Sequence, residues 1–522
     1  MKVWLVGLLL VAASSGAAQV TKEDLLKAEP HNWLTYSGSY HAQRHTLLNQ
    51  IHTGNVKNLA PKWIYHFSEQ GHLETVPIVV DGVMYIAQFN RVDALDARTG
   101  RLIWKYQRQP PATGWHRGVA VYGNKVYVGT RDAFLVALEA RTGGVLWETK
   151  LAGDSPRYQG AAPLVVNDKV IVGSNSRQGG SVDAYDAETG KHLWRWNAIP
   201  KPGEPGSETW AGDSWKLGGG PTWLTGSYDP DLNLIYWGTG QPGMDFVGDI
   251  REGDNLYTDS MVALDADTGK MKWYFQFTPH DTHDWDAVEI PVLVDAEFKG
   301  EPKKLLVQAN RNGYYYVLDR VTGKFLLGTP FVKMLTWSAG LTEEGRPVVV
   351  PGMDPTPQGT RVCPSTAGAT NWPSPAYSPD TKLFYLISQE GCGVNFRVTT
   401  NFQPGSGPPG SGTGYMESPE ESERWELHVI ALEVTTGKKV WDYKQIGSRH
   451  YGPGVLSTAG GILFAGEYQG NFTALDARTG KPLWTFNTGD LIWASPMAYS
   501  VRGNQHVALA SGTNIIAFGL PD

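Results

Sequence analysis

One phrase recurs along this chain of 522 residues and narrows its architecture more than anything else in it. It reads ALDARTGRLIW from Ala94, ALEARTGGVLW from Ala137, AYDAETGKHLW from Ala184, ALDADTGKMKW from Ala263, VLDRVTGKFLL from Val317, ALEVTTGKKVW from Ala431 and ALDARTGKPLW from Ala474. Successive starts lie 43, 47, 79, 54, 114 and 43 residues apart. An interval of roughly 45 residues is the length of one four-stranded propeller blade. A degenerate copy, AYSPDTKLFYL from Ala376, falls inside the interval of 114, which is long enough for two blades. Seven copies and this one predict an all-β, eight-bladed β-propeller of four-stranded antiparallel blades.

The phrase has local physics behind it. Its apolar residues alternate as a strand, the acidic residue with Thr-Gly supplies turn hydrogen bonding and a residue free to take positive φ, and the next strand ends on Trp. A second hairpin lies upstream, as in VPIVVDGVMYIAQ with Asp81-Gly82 at the turn, so each repeat holds four strands. Trp104, Trp147, Trp194, Trp273, Trp441 and Trp484 are accordingly expected to pack between blades rather than to touch a ligand. Ligands of such folds sit at one mouth of the central channel, where insertions build the rim. The insertion KPGEPGSETWAGDSWKLGGGPTW is one candidate, and the low-complexity stretch from Asn401 is expected to be a mobile rim loop.

Bulk properties bound the function. A formal net charge of -7 leaves no basic footprint, which argues against a nucleic-acid partner. Residues 1–18 carry a lysine, the apolar run VWLVGLLLVAA and then small residues, the order of a signal peptide cleaved after Ala18. Residues 19–522 are expected to form one propeller domain. No later stretch holds 18 uninterrupted apolar residues, so no membrane span is expected, and the mature chain is expected to be periplasmic or secreted. Cys363 and Cys392 are the two cysteines. In an oxidising compartment they most simply pair, a free pair being the alternative. The sequence has no C-x-x-C-H, and therefore no site for covalent c-type haem.

Residues 279–289, PHDTHDWDAVE, concentrate aspartate and histidine just after a plain strand. Such a run is either a solvated loop or a set of carboxylates converging on a reacting group. Together with LETVPIVVDGVMY, GGGPTWLTGSYDPDLNLIYWGTGQP, NRNGYYYVLDR and VCPSTAGATNWPSPAYSP, it resembles the quinoprotein alcohol dehydrogenases, propellers that bind pyrroloquinoline quinone (PQQ) and a metal ion. The resemblance runs from about residue 31 to the C-terminus. It implies Asp284 as the catalytic base, Asp286 as the acid that accompanies lanthanide rather than calcium use, and Arg311 beside the reactive carbonyl of the quinone. It also implies Trp223 as the floor under the cofactor rings and Glu74, Arg117 and Asn371 as polar cofactor contacts. His280 and His283 are read as shaping the loop.

The residue types suit that chemistry. A planar tricarboxylate needs a flat aromatic face and guanidinium forks, and a metal on the quinone oxygens makes it a better hydride acceptor. An aspartate within hydrogen-bond reach can remove the alcohol proton. Several positions depart from the family pattern. The segment PPATGWHRGVAV lacks the vicinal cysteine pair, and YQGAAPL lacks a threonine. Asn175, in SNSRQGGSVDAYD, is the nearest oxygen donor where the family has a metal-binding glutamate, and Gln241 replaces the asparagine of GTGNP. The expected metal set is thus Asp284, Asp286, Asn175 and Gln241, for calcium or a lanthanide, with Asp286 compensating the lost charge. The leading expectation is an exported dehydrogenase oxidising a small alcohol and passing electrons to a separate acceptor such as a cytochrome c. A non-catalytic propeller that binds peptide or protein is the alternative, and a sugar- or polyol-oxidising enzyme of the same fold is a third reading.

Overall fold

The computed structural model describes residues 19–67, 71–112, 114–176, 179–397, 413–416, 425–447 and 452–521. The expected leader, residues 1–18, and nearly all of the stretch from Asn401 lie outside them. Among the described residues eight antiparallel blades form an eight-bladed propeller. Blade 1 runs through Ile78–Val80, Val83–Gln88, Arg91–Asp96 and Leu102–Gln107. Blades 2 to 7 follow over residues 120–150, 164–197, 227–276, 292–330, 376–444 and 455–487. The first strands of neighbouring blades touch, as in blades 2 and 3, 4 and 5, and 6 and 7, which puts them innermost. The second and third strands are buried on both faces between blades, whereas outermost strands such as Val145–Lys150 expose much of their length.

The eighth blade is not where the repeat pattern placed it. Ala376–Ser378 and Leu383–Glu390 are the first two strands of blade 6, which the copy at Ala431 completes, so the interval of 114 does not hold two blades. Small sheets inserted there account for its length, one pairing Ser338–Leu341 with Pro347–Val349 and another built on Thr360–Val362 and Gly393–Arg397. Blade 8 instead joins the chain ends: Met497–Val501, Asn504–Ser511 and Asn514–Gly519 are completed by the N-terminal strand Ala60–His66. Closing the ring with both ends of the chain leaves no open sheet edge between first and last blades.

Packing between blades follows one rule. The indole N–H groups of Trp63, Trp104, Trp194, Trp273 and Trp441 donate to the carbonyls of Ala97, Ala140, Ala266, Arg320 and Ala477, each in the next blade around the ring. The ring of each lies over the turn glycine of that blade; a Cβ on Gly100, Gly143, Gly269, Gly323 or Gly480 would stand 2.4–2.6 Å from ring carbons. These glycines have positive φ, as the Thr-Gly turn demands. Inside the ring, residues 31–46 run along the inner strands, bonding to Val79, Tyr228, Leu293, Tyr377, Ser457 and Ser500 of six blades. Arg44, fully buried there, donates to the carbonyls of Tyr36, Val455 and Pro496. Cys363 and Cys392 form a disulfide.

Candidate functional site

In a four-stranded antiparallel blade, the turn between strands two and three and the link to the next blade leave from the same end. The expected site residues all come from that end. Asn175, Gln241 and Arg311 lie at second-to-third connections of blades 3, 4 and 5, while Glu74, Arg117, Trp223, Asp284, Asp286 and Asn371 lie on links between blades. Topology alone therefore gathers nine residues spread over some three hundred positions onto one face.

The link carrying Asp284 is held from within. The Asp281 carboxylate accepts the amides of His283 and Trp285 at 2.9 and 2.8 Å. Trp285 is fully buried and its indole N–H donates to the Ser365 carbonyl at 2.8 Å, with its ring against His283 and Trp337. His280 bonds the Gly253 carbonyl through Nδ1 at 2.8 Å, and His283 meets Asn395 at 3.2 Å. Burial lowers the His283 pKa to about 4, so it accepts from the Asn395 amide as a neutral ring. Both histidines shape the loop. Asp284, between these anchors, takes φ +61°, a left-handed backbone that a residue with a Cβ adopts at a cost.

Asp286 is the hub. Its Oδ1 accepts the Gln241 amide at 2.8 Å, its Oδ2 accepts the Trp223 indole N–H at 2.8 Å, and the Arg311 guanidinium stands 3.4 Å away. Arg311 also donates to the Thr366 carbonyl at 2.7 Å. Asp284 lies within the electrostatic reach of Arg311 and Asp286 and keeps some solvent exposure. Burial pushes its carboxyl well above the ordinary range; Arg311 opposes this, and Asp286, Asp245 and Asp281 add to it. The Asp286 carboxyl is raised as well, again by burial first, with Arg311 and its two hydrogen bonds pulling down. Two carboxylates share one guanidinium and little solvent, so neither acid ionises freely.

The remaining residues divide. Arg117 is buried, pairs with Glu74 at 2.8 Å, and stands 4.8 Å from the centroids of both Trp223 and Trp372. Its Nε makes no hydrogen bond. Asn371 spends its side chain on its own loop, donating to the Ala367 carbonyl and accepting the Trp372 amide, beside a cavity of about 10 Å³. Gln241 donates through Nε2 to Asp245 at 3.2 Å, and its buried Oε1 has no partner. Asn175 turns its Oδ1 onto the Ser176 amide at 2.8 Å and has no contact with Asp284, Asp286 or Gln241 among the hydrogen bonds described. Among the described residues no three His, Cys, Asp or Glu side chains are gathered closely enough to cage a metal by themselves.

Sequence reasoning passed over four buried groups at this face. Asp281 reads as one more charge in an acidic loop, yet it is the loop's internal cap. Arg251 is fully buried, bonded to Asn255 Oδ1 and to the carbonyls of Asp245 and Asp281. Asp259 and Glu289 are buried with no hydrogen bond to either carboxylate oxygen, and burial raises both well above the ordinary range. The one available signal was a charged residue directly flanking a wholly apolar strand, as in YTDSMVALD and DAVEIPVLV.

The fold and site together define a propeller whose one face carries a buried carboxylate–arginine pair set against tryptophan. The sequence profile for the PQQ "Glucose/ethanol/alcohol dehydrogenase, beta-propeller domain" matches residues 33–334, and one described as "Outer membrane protein assembly factor BamB" matches residues 426–518. The chain is 36% identical to the quinoprotein alcohol dehydrogenase PedH of Pseudomonas putida, over 96% of this chain and 90% of that one. It is 35% identical to a lanthanide-dependent methanol dehydrogenase of Methylacidiphilum fumariolicum, over 93% and 85%. The solved quinohemoprotein alcohol dehydrogenase ADHIIG of Pseudomonas putida HK5 superposes with a TM-score of 0.90 at 33% identity, covering 96% of this chain and 82% of that one. The chain belongs to the PQQ-dependent quinoprotein alcohol dehydrogenase family.

Proposed function

We propose that the chain is an exported dehydrogenase that oxidises a small alcohol with PQQ and a hard metal ion at the Asp284–Asp286 face. The observation that carries this reading is the convergence of the Trp223 indole, the Gln241 amide and the Arg311 guanidinium on one Asp286 carboxylate, with Asp284 beside it. The residues present fit the absent groups. Buried carboxylates outnumber the arginines beside them and the Gln241 Oε1 is unpartnered, an arrangement that a cation bound by oxygen ligands would balance. The flat indole of Trp223 and the Arg117 guanidinium suit an aromatic polycarboxylate.

Held there, PQQ would supply the hydride acceptor for alcohol oxidation, and a cation would strengthen it as an electrophile. Arg311 and Arg117 orient the cofactor through their forks, with Glu74 fixing Arg117 and Asn371 holding the loop beside Trp372. Asp284 takes the alcohol proton onto a carboxylate oxygen; Arg311 favours its ionised form against burial, and a bound cation would add to that. Asp286 and the unpartnered Gln241 Oε1 would hold the cation, and Asn175 would join them only by releasing or sharing the Oδ1 that now accepts the Ser176 amide. A lanthanide suits this acid pair, and one relative carries that dependence in its name. Electrons leave to a separate carrier such as a cytochrome c. No described helix is long and apolar enough to cross a membrane.

Reconstitution decides the matter. Apoprotein loaded with PQQ and either calcium or lanthanum is expected to reduce a dye with short alcohols, and the Asp286→Ala chain to lose the lanthanum-dependent rate. Failure to take up PQQ with either metal would overturn the reading in favour of a binding propeller.

A further inference from the structure

The chain holds two cysteines, and the disulfide they form lies outside every blade. Cys363 follows Thr360–Val362 and Cys392 precedes Gly393–Arg397, two strands of an inserted sheet that pair over three residues. Blade 6 closes without the bond: Leu383–Glu390 pairs with Glu426–Glu433 over its whole length and ends before Cys392. Both cysteines are buried. What the bond fixes is the start of the link over residues 363–372, which contains no strand or helix.

The candidate site hangs on that link. The Ser365 carbonyl accepts the Trp285 indole N–H at 2.8 Å, which ties down the loop of Asp284, and the next carbonyl, of Thr366, accepts the Arg311 guanidinium at 2.7 Å. The Thr366 hydroxyl bonds Asn395 Oδ1 at 3.0 Å, and the Asn395 amide meets His283 at 3.2 Å. The Arg311 carbonyl accepts the Ala369 amide at 2.8 Å, and a Cβ on Gly368 would stand 2.7 Å from Arg311 Cβ. At the far end of the link the Trp372 ring centroid lies 4.8 Å from the Arg117 guanidinium. Backbone carbonyls aim where their own segment is held, so Trp285 and Arg311 are placed only as well as this link is. Its ties to residues 389–391 are hydrogen bonds, from the Ser365 amide to the Gly391 carbonyl at 3.1 Å and from the Gln389 amide to the Ala369 carbonyl at 2.7 Å. The disulfide is the covalent tie.

We propose that Cys363 and Cys392 are positioning residues of the candidate active site: their disulfide fixes the link whose Ser365 and Thr366 carbonyls set the Asp284 loop and the Arg311 guanidinium against each other. The inference rests on the proposed PQQ reading for what the site does, and on the hydrogen bonds alone for what the disulfide holds.

The test compares the wild-type full chain with the Cys363→Ala/Cys392→Ala chain in two measurements. The first is amide hydrogen exchange of the cofactor-free chains, read by mass spectrometry. Residues 279–289 are expected to exchange at least about tenfold faster in the variant while blades 1 to 3 keep the wild-type rates. The second is PQQ uptake followed by absorbance in the presence of lanthanum chloride. Affinity is expected to fall about tenfold on loss of the disulfide, but by less than about twofold when Arg311→Met is already present, because the two changes act through one group. Wild-type exchange over residues 279–289 in the variant, or wild-type affinity for PQQ, overturns the inference and leaves the PQQ reading standing. Faster exchange in all blades, with the same loss of affinity in both backgrounds, assigns the disulfide to global stability and also overturns it. So does loss of cooperative melting both in the variant and in the wild-type chain reduced with a phosphine. Absence of PQQ uptake by the wild-type chain overturns the PQQ reading and this inference with it.

Discussion

Asp284 and Asp286 stand two positions apart and face different work. Asp286 is held by an amide, an indole and a guanidinium, whereas Asp284 sits on a left-handed backbone with residual exposure. On the proposed reading, that contrast leaves proton transfer to Asp284. Asp284→Asn is expected to lower the dye-reduction rate by about 10²–10⁴-fold while PQQ uptake, followed by absorbance, persists; a variant retaining most of the rate would remove Asp284 from the chemistry. His116 gives a residue-scale prediction independent of activity. Its Nε2 donates to the Gly129 carbonyl and its Nδ1 accepts the Gly118 amide, so it is buried neutral. Burial, with Arg117 adding to it, lowers its pKa to about 4. A histidine with a depressed folded pKa contributes stability that is complete above the unfolded value of about 6.5 and is lost as pH falls towards the folded one. Between pH 7 and 5 this one group withdraws about 2 kcal/mol. The urea midpoint of His116→Gln is expected to fall less over that range than the wild-type midpoint.

At the scale of elements, the loop over residues 279–286 and the inter-blade tryptophans were legible to different degrees. The tryptophan repeat announced itself because each copy solves the same problem, a ring laid over the next blade's turn. The loop announced its importance through its aspartates but not its internal roles, since a carboxylate that caps two amides and one that faces a ligand look alike in a sequence. The capping role of Asp281, the buried Arg251 and the orphaned Asp259 all depend on which side chains tertiary structure removes from water, and no periodicity encodes that. Inter-blade packing is directly testable. Gly269 has φ +69° and would place a Cβ 2.4 Å from the Trp194 ring. Gly269→Ala is expected to cost roughly 2–4 kcal/mol, from the left-handed backbone and the overpacked ring together, read as a lower melting temperature. A variant melting with the wild type would contradict this account of how blades dock.

At the scale of the whole molecule, the number of blades was legible in the repeats, whereas the closure of the ring was not. The eighth outer strand, Ala60–His66, carries Trp63 but lacks the Thr-Gly phrase, because its hairpin partner is the far end of the chain. A degenerate copy at Ala376 stood in for it and led to the right number by the wrong strand. The segment over residues 31–46, threaded along the inner strands, has no regular pattern to read, since its backbone hydrogen bonds go to six different blades. Arg44 anchors it. Arg44→Met would leave three buried carbonyls without their charged donor, and is expected to destabilise the fold by about 3 kcal/mol or more, measured as a loss of melting temperature with the blades' far-ultraviolet signal unchanged in the cold.

The blades exist, on this account, to hold one face on which the Asp284 and Asp286 carboxylates of the link after blade 4 meet Arg311 and Trp223. The most direct measurement is a crystal structure of the chain grown with PQQ and lanthanum, with the metal placed by its anomalous scattering. The expected result is a single strong peak beside the carboxylates of Asp284 and Asp286, with the quinone rings against Trp223. A peak elsewhere on the propeller, or quinone density away from Trp223 and Arg311, would contradict the assignment of this face.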